Sequence, residues 1–104
     1  EFVNGSVDES KKMIIEAIKI RPQYFEAYSS LSQLEFGQGN SLDGVNILKE
    51  YLKINPNDSN ALYQLGLAHI QAGQNYEAEM IFDSLSKSYP DNSDIKSILN
   101  DLRN

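Results

Sequence analysis

The sequence predicts an all-α fold of about six antiparallel helices, stacked as helix pairs in a repeating array. Three observations carry this prediction. The three prolines, Pro22, Pro56 and Pro90, stand 34 residues apart, twice. Gly5, Gly39 and Gly73 keep the same interval, and so do the large apolar residues Ile14, Leu48 and Phe82. Within each period the apolar positions recur at helical spacing, separated by turn-forming residues.

The elements follow in chain order. Ser6-Val7-Asp8-Glu9 has the form of a capping box, in which Ser6 and Glu9 satisfy each other's free amides. It predicts a helix opening there and running through Met13, Ile14, Ala17, Ile18 and Ile20, closed by Arg21-Pro22. Residues 24–38 predict a second helix, with Ala27, Tyr28, Leu31, Leu34 and Glu35 on one stripe, and Gly39-Asn40 as its turn. Residues 42–54 predict a third on Val45, Leu48, Tyr51 and Leu52, broken by Asn55-Pro56-Asn57-Asp58. The next period repeats this, with helices over 59–72 and 76–88, a stop at Gly73 and a break at Pro90. Asp91-Asn92-Ser93 opens a last helix carrying Ile95, Ile98, Leu99 and Leu102. Links this short force successive helices antiparallel.

Composition bounds what such a chain does. At 104 residues it predicts one domain, and 40% hydrophobic with 23% charged residues is an ordinary globular balance. A net charge of -6 offers no electrostatic footprint for nucleic acid. No apolar run reaches the ~18 residues of a membrane helix, and the N-terminus lacks the basic start and apolar stretch of a signal peptide. With no Cys there is no disulfide framework, thiolate metal site or cysteine nucleophile. His69, the only histidine, cannot build a two-His metal site, and it falls on the inward stripe of its helix. Ser29, Ser30 and Ser32 have no base at a useful spacing, and Glu77, Glu79 and Asp83 read as a solvated face. Gly37-Gln38-Gly39 lacks the strand and the Gly-Lys ending of a phosphate loop. These readings predict a non-enzymatic chain with no cofactor and no metal.

The segment Asn60-Ala61-Leu62-Tyr63-Gln64-Leu65-Gly66-Leu67-Ala68, followed by Gly73, Glu77-Ala78, Phe82 and Pro90, resembles the tetratricopeptide repeat, whose period is 34. The period before it matches more loosely, with Ser32 where the pattern has Gly and Gly44 where it has Ala. The resemblance implies a right-handed superhelical solenoid, divided here into the second helix of a partial repeat (1–24), full repeats (25–58 and 59–92) and a C-terminal capping helix (93–104). Gly66, Ala61, Ala68 and Ala78 are expected to let paired helices approach closely, with Leu65 and Phe82 filling the space left. So few repeats predict modest stability.

In the family the first helix of each repeat lines a concave groove that takes up a peptide or helix of a partner protein. Carried over by helical phase, the groove residues are Glu26, Ser29, Gln33 and Phe36, then Asn60, Tyr63, Leu67, Ile70 and Gln71, then Asp94, Ser97 and Asp101. Its centre is partly apolar, with Tyr63 and Leu67 one turn apart as the leading contacts. Many relatives grip a C-terminal carboxylate with groove cations, yet no Lys or Arg lies between Tyr24 and Val45 or between Leu62 and Ser86, which argues against that grip. The first helix carries more apolar residues, Met13, Ile14, Ile15, Ile18 and Ile20, than one contact face needs. Either further repeats precede it, or this edge makes a homodimer. The expected role is therefore a binding scaffold, with self-association or service as an accessory domain of a larger catalytic protein as the rival readings.

Overall fold

The computed structural model describes residues 2–104, with side chains from residue 7 onward. Six α-helices account for its regular structure: α1 (Phe2–Ile20), α2 (Phe25–Gly37), α3 (Ser41–Ile54), α4 (Ser59–Gln71), α5 (Asn75–Ser88) and α6 (Ser93–Arg103). No strand occurs among the described residues. The chain divides into two compact units, Glu1–Pro56 and Asn57–Asn104. The first holds α1 to α3 and the second α4 to α6.

The helix starts and ends expected between residues 24 and 88 fall within one residue of those observed. The first helix differs. It begins at Phe2 and continues through Gly5, so there is no turn at Gly5 and Ser6 lies inside the helix rather than at its start. The side chain of Ser6, and with it the expected capping box, lies outside the described residues. Once a helix is nucleated each further residue adds a hydrogen bond, and one interior glycine costs only about 1 kcal/mol against alanine.

The turns repeat atom for atom. Gly39 and Gly73 have φ of 83° and 78°, a left-handed conformation open to glycine without a Cβ penalty. Around Gly39, its N–H donates to Phe36 O (3.0 Å) and the Asn40 N–H to Glu35 O (2.8 Å). Around Gly73, the corresponding donors reach Ile70 O (3.0 Å) and His69 O (2.8 Å). A side-chain bond reinforces each turn between the same two positions of the period. Asn40 Nδ2 donates to Glu35 Oε1 at 2.8 Å, and His69 Nδ1 meets Gln74 Oε1 at 2.8 Å. The other class of link is capped by Asp58 and Asn92, whose side chains accept from the Ala61 N–H (3.2 Å) and the Ile95 N–H (3.0 Å). Tyr24, at the same position one period earlier, has no such acceptor, and Ala27 N–H turns to the Tyr24 carbonyl instead.

In the first unit α2 and α3 form a hairpin cored by Ala27, Tyr28, Leu31, Val45, Leu48 and Tyr51. The Tyr51 ring sits 4.9 Å from Phe25 and 5.3 Å from Tyr28, centre to centre. The Tyr28 hydroxyl donates to Pro22 O at 2.7 Å, tying α2 to the link before it, and burial, with the charge of Glu50 adding, holds its pKa above the ordinary tyrosine value. In the second unit Ala78, Phe82, Leu85, Ile95 and Leu99 form the core, with Leu62, Tyr63 and Ile70 of α4 packed against it.

The two hairpins reach close approach in opposite ways. In the second, Gly66 of α4 faces the fully buried Phe82 ring of α5, and a Cβ at Gly66 would lie 2.6 Å from Phe82 Cε2. In the first, the glycine sits on the other helix. Gly44 of α3 faces the Phe36 ring of α2, with a Cβ at Gly44 placed 2.8 Å from Phe36 Cε2. Ser32 occupies the place of Gly66, and its buried hydroxyl donates to Gly44 O at 2.8 Å, so no polar atom is orphaned. The departures at Ser32 and Gly44 are thus one compensated exchange of ring and glycine between partner helices.

Gly66→Ala should lower stability by about 1–3 kcal/mol despite the better helix propensity of alanine, because the Phe82 ring has nowhere to go. Gly44→Ala should cost less, since Phe36 is only half-buried and can turn outward. Urea unfolding checks both, and equal effects at the two sites would contradict the assignment. Glu35 gives a pH prediction. Its hydrogen bond from Asn40 and its contact with Lys11 Nζ (3.1 Å) hold its carboxyl below the ordinary glutamate pKa. A lowered folded-state pKa contributes stability above the unfolded value, which is lost as pH falls through the folded value. Glu35→Gln should therefore be less stable than the parent at neutral pH, with the gap narrowing as pH drops below the usual glutamate range. Unfolding midpoints measured across that range test it, and a gap independent of pH would exclude the linkage.

Candidate functional site

Helical phase puts Asn60, Tyr63, Leu67, Ile70 and Gln71 along one side of α4. Asn60, Leu67 and Gln71 are exposed, Leu67 at 41% of its full surface, while Tyr63 and Ile70 are half-buried against the core of the second unit. Tyr63 stands edge-on to Phe82, with ring centres 5.6 Å apart and planes at 89°. This contact fixes the ring's direction and leaves its outer face to the surface.

That face forms one wall of an open cleft of about 440 Å³ between α4, the end of α5 and the start of α6. Tyr63, Leu85 and Ile95 supply its apolar floor, and Ser59, Asn60, Tyr89, Asn92 and Asp94 its polar rim. Of the residues expected to line a groove, the cleft gathers Asn60, Tyr63 and Asp94. Leu67, Ile70, Gln71, Ser97 and Asp101 do not line it.

Three rim residues were not anticipated. Tyr89 and Ser59 share a hydroxyl–hydroxyl hydrogen bond of 2.7 Å across 30 residues, and Asn92 is held by its capping bond. The one available signal was Tyr89 itself, an aromatic in a link directly before Pro90. Among the described residues, Asp94 is the sole charged group of the lining, and no Lys or Arg contributes to it. Arg103, the cation of α6's last turn, is engaged elsewhere: its Nε donates to Glu79 Oε2 (2.9 Å) and its Nη2 to Asp83 Oδ1 (2.8 Å) on α5. Arg103 and then Lys87 hold the Asp83 carboxyl below the ordinary aspartate value.

In the first unit Ser29 and Phe36 are half-buried and Gln33 is exposed, with the Phe36 ring already used in covering Gly44. Glu26 lies instead on a second cleft, of about 250 Å³, which it shares with Met13, Ile14, Ala17, Tyr24, Ala27 and Ser30. The apolar edge of α1 is divided. Met13, Ile15 and Ile20 are exposed, Met13 at 72%, whereas Ile14 and Ile18 are half-buried.

His69 is buried at 3% exposure with its Nδ1 engaged by Gln74. Among the described residues no group of three His, Cys, Asp or Glu side chains is placed to hold a metal ion, and no helix is long and apolar enough to cross a membrane.

A family model described as tetratricopeptide repeat matches residues 35–102. Among solved structures, a tetratricopeptide repeat protein from Parabacteroides merdae ATCC 43184 superposes with a TM-score of 0.75 at 22% identity. The superposition covers 96% of this chain but only 40% of that one. No curated protein sequence matches the chain. At this identity the structural likeness speaks for the fold alone, an all-α helical repeat. Repeats of this kind are generally protein–protein interaction modules and are typically non-catalytic. The family model covers more than half of the sequence, and with the 34-residue period and its two glycine turns it shows that the chain belongs to the tetratricopeptide repeat family.

Proposed function

We propose that the chain is a non-catalytic docking module, and that the α4 surface with its adjoining cleft receives a peptide or helix of a partner protein. The observation that carries this reading is the Tyr63 ring, backed by Phe82 and open to a cleft with an apolar floor and a polar rim. A held aromatic loses little entropy when it is covered, and such residues dominate interface energies. Leu67, one turn along and exposed, extends the apolar contact. Asn60 and Asp94 supply hydrogen-bonding capacity at the edge.

The lining without cations favours a partner bound by apolar contact and neutral hydrogen bonds over one gripped by its carboxylate. This separates the chain from relatives that clamp a charged tail. Leu67 and Gln71 continue the α4 surface beyond the cleft and are assigned supporting contacts. Ile70 is assigned a lesser role, because its side chain packs against the core of the second unit; in the first unit, taken by itself, Ser29, Gln33 and Phe36 are proposed as minor contacts.

Affinity capture with the parent chain and with a Tyr63→Ala, Leu67→Ala variant tests the assignment. Because Tyr63 also touches Phe82, the surface variant Asn60→Arg, Asp94→Arg is run beside it, and circular dichroism confirms that all are folded. Both variants should lose the partner, and capture by the parent should change little between low and moderate salt. A partner kept equally by all three chains would reject the site. A steep loss of capture with salt would reject the apolar mode of binding.

A further inference from the structure

Two positions of the 34-residue period carry charge in a pattern that changes along the chain. One is occupied by Lys11, Val45 and Glu79, in α1, α3 and α5. The other is occupied by Glu35, His69 and Arg103, in α2, α4 and α6. Within each unit the two positions meet once as an ion pair. Lys11 Nζ lies 3.1 Å from Glu35 Oε2 across α1 and α2, and Arg103 Nε lies 2.9 Å from Glu79 Oε2 across α5 and α6. These are the same contact two periods apart, with the charges exchanged. The first is largely enclosed, its side chains 21% and 15% exposed. The second gains another carboxylate, Asp83 Oδ1, 2.8 Å from Arg103 Nη2.

We propose that this reversed ion pair is a pairing code. It assigns α2 to α1 and α6 to α5, and it excludes α2 from α5 and α6 from α1, in one chain or between copies of it. Burial alone discriminates weakly among these choices. Ala27, Leu31 and Leu34 of α2 correspond to Ile95, Leu99 and Leu102 of α6, and Met13, Ile14 and Ala17 of α1 to Ile81, Phe82 and Leu85 of α5. Every combination sets an apolar face on an apolar face, the circumstance in which repeat chains exchange segments.

The charges break that symmetry. α2 laid on α5 would set Glu35 against Glu79 and Asp83, in the place of the cation Arg103. α6 laid on α1 would set Arg103 against Lys11, in the place of Glu35. A part-buried ion pair adds little net stability, whereas like charges in the same place are strongly unfavourable. Two pairs of one sense would stabilise the two contacts equally well and leave the choice of partner open. Stability therefore does not require the reversal, and discrimination does.

The sequence has no Cys, so Asn104→Cys places a single label. Every chain also carries Asp83→Asn, which leaves Arg103 one charged partner on α5. Lys11→Glu with Glu35→Arg gives both pairs the same sense, and so does Glu79→Arg with Arg103→Glu. All four changes together reverse both pairs and restore the opposite senses. None of these sets alters the net charge. Donor- and acceptor-labelled copies of each chain are unfolded in urea and refolded together. Energy transfer and sedimentation are compared with those of copies mixed after folding, and circular dichroism checks that each chain is folded. The two same-sense chains should form dimers on refolding at about tenfold or more the level of the unreversed chain, the discrimination expected of like charges at a close contact. The four-change chain should return to the unreversed level. Same-sense chains that exchange no more than the unreversed chain would overturn the code, and so would a four-change chain that exchanges as much as they do. The second same-sense chain alters more exposed positions, so misfolding of the first leaves the test standing.

Discussion

An aromatic ring laid on a bare stretch of helix backbone is the contact on which each hairpin depends. Phe82 rests on Gly66 in one unit and Phe36 on Gly44 in the other. The ring sets the distance between paired helices, and that distance decides which residues around it are buried. In the second unit it brings Ala78 to full burial, aligns Leu85 with Ile95 and Leu99, and gives Tyr63 the edge-on support that points its face outward. The cleft on that surface is a consequence of the same contact. A close-packed interior transmits such a constraint, because its neighbours have no free volume in which to absorb a change.

Much of this was legible in the sequence, for physical reasons. Proline and glycine act through the backbone, so Pro22, Pro56, Pro90, Gly39 and Gly73 marked breaks and turns independently of tertiary context. The apolar stripes fixed which face of each helix turns inward. The start of α1 was not legible, because a pattern such as Ser6-Val7-Asp8-Glu9 sits as comfortably inside a helix as at its start. Nor was the exchange at Ser32 and Gly44. Each residue alone departs from the repeat pattern, and only the position of the Phe36 ring shows that the two departures compensate.

The site divides along the same line. Asn60, Tyr63 and Asp94 follow from helical phase, and the structure gathers them at one cleft. Ser59 and Tyr89 do not, since they stand at helix ends, where side-chain direction depends on the conformation of the link. The bond between their hydroxyls is a long-range fact with no local signature. His69 and Glu35 were read as members of the inward stripes of their helices. Their hydrogen bonds to Gln74 and Asn40 explain them: both belong to the turn that closes each hairpin. The turn recurs on the 34-residue period with its backbone bonds, whereas ring and glycine change places between the two hairpins.

The most direct test of the central claim is a double-mutant cycle on Gly66 and Phe82. Gly66→Ala, Phe82→Leu and the double variant are unfolded in urea beside the parent. If ring and backbone are in the contact described, the alanine methyl occupies part of the space that leucine vacates. The double variant should then be more stable than the sum of the single losses predicts, by about 0.5–3 kcal/mol. Strictly additive losses would mean that the two residues do not share that space, and would remove the contact from which the rest of the account follows.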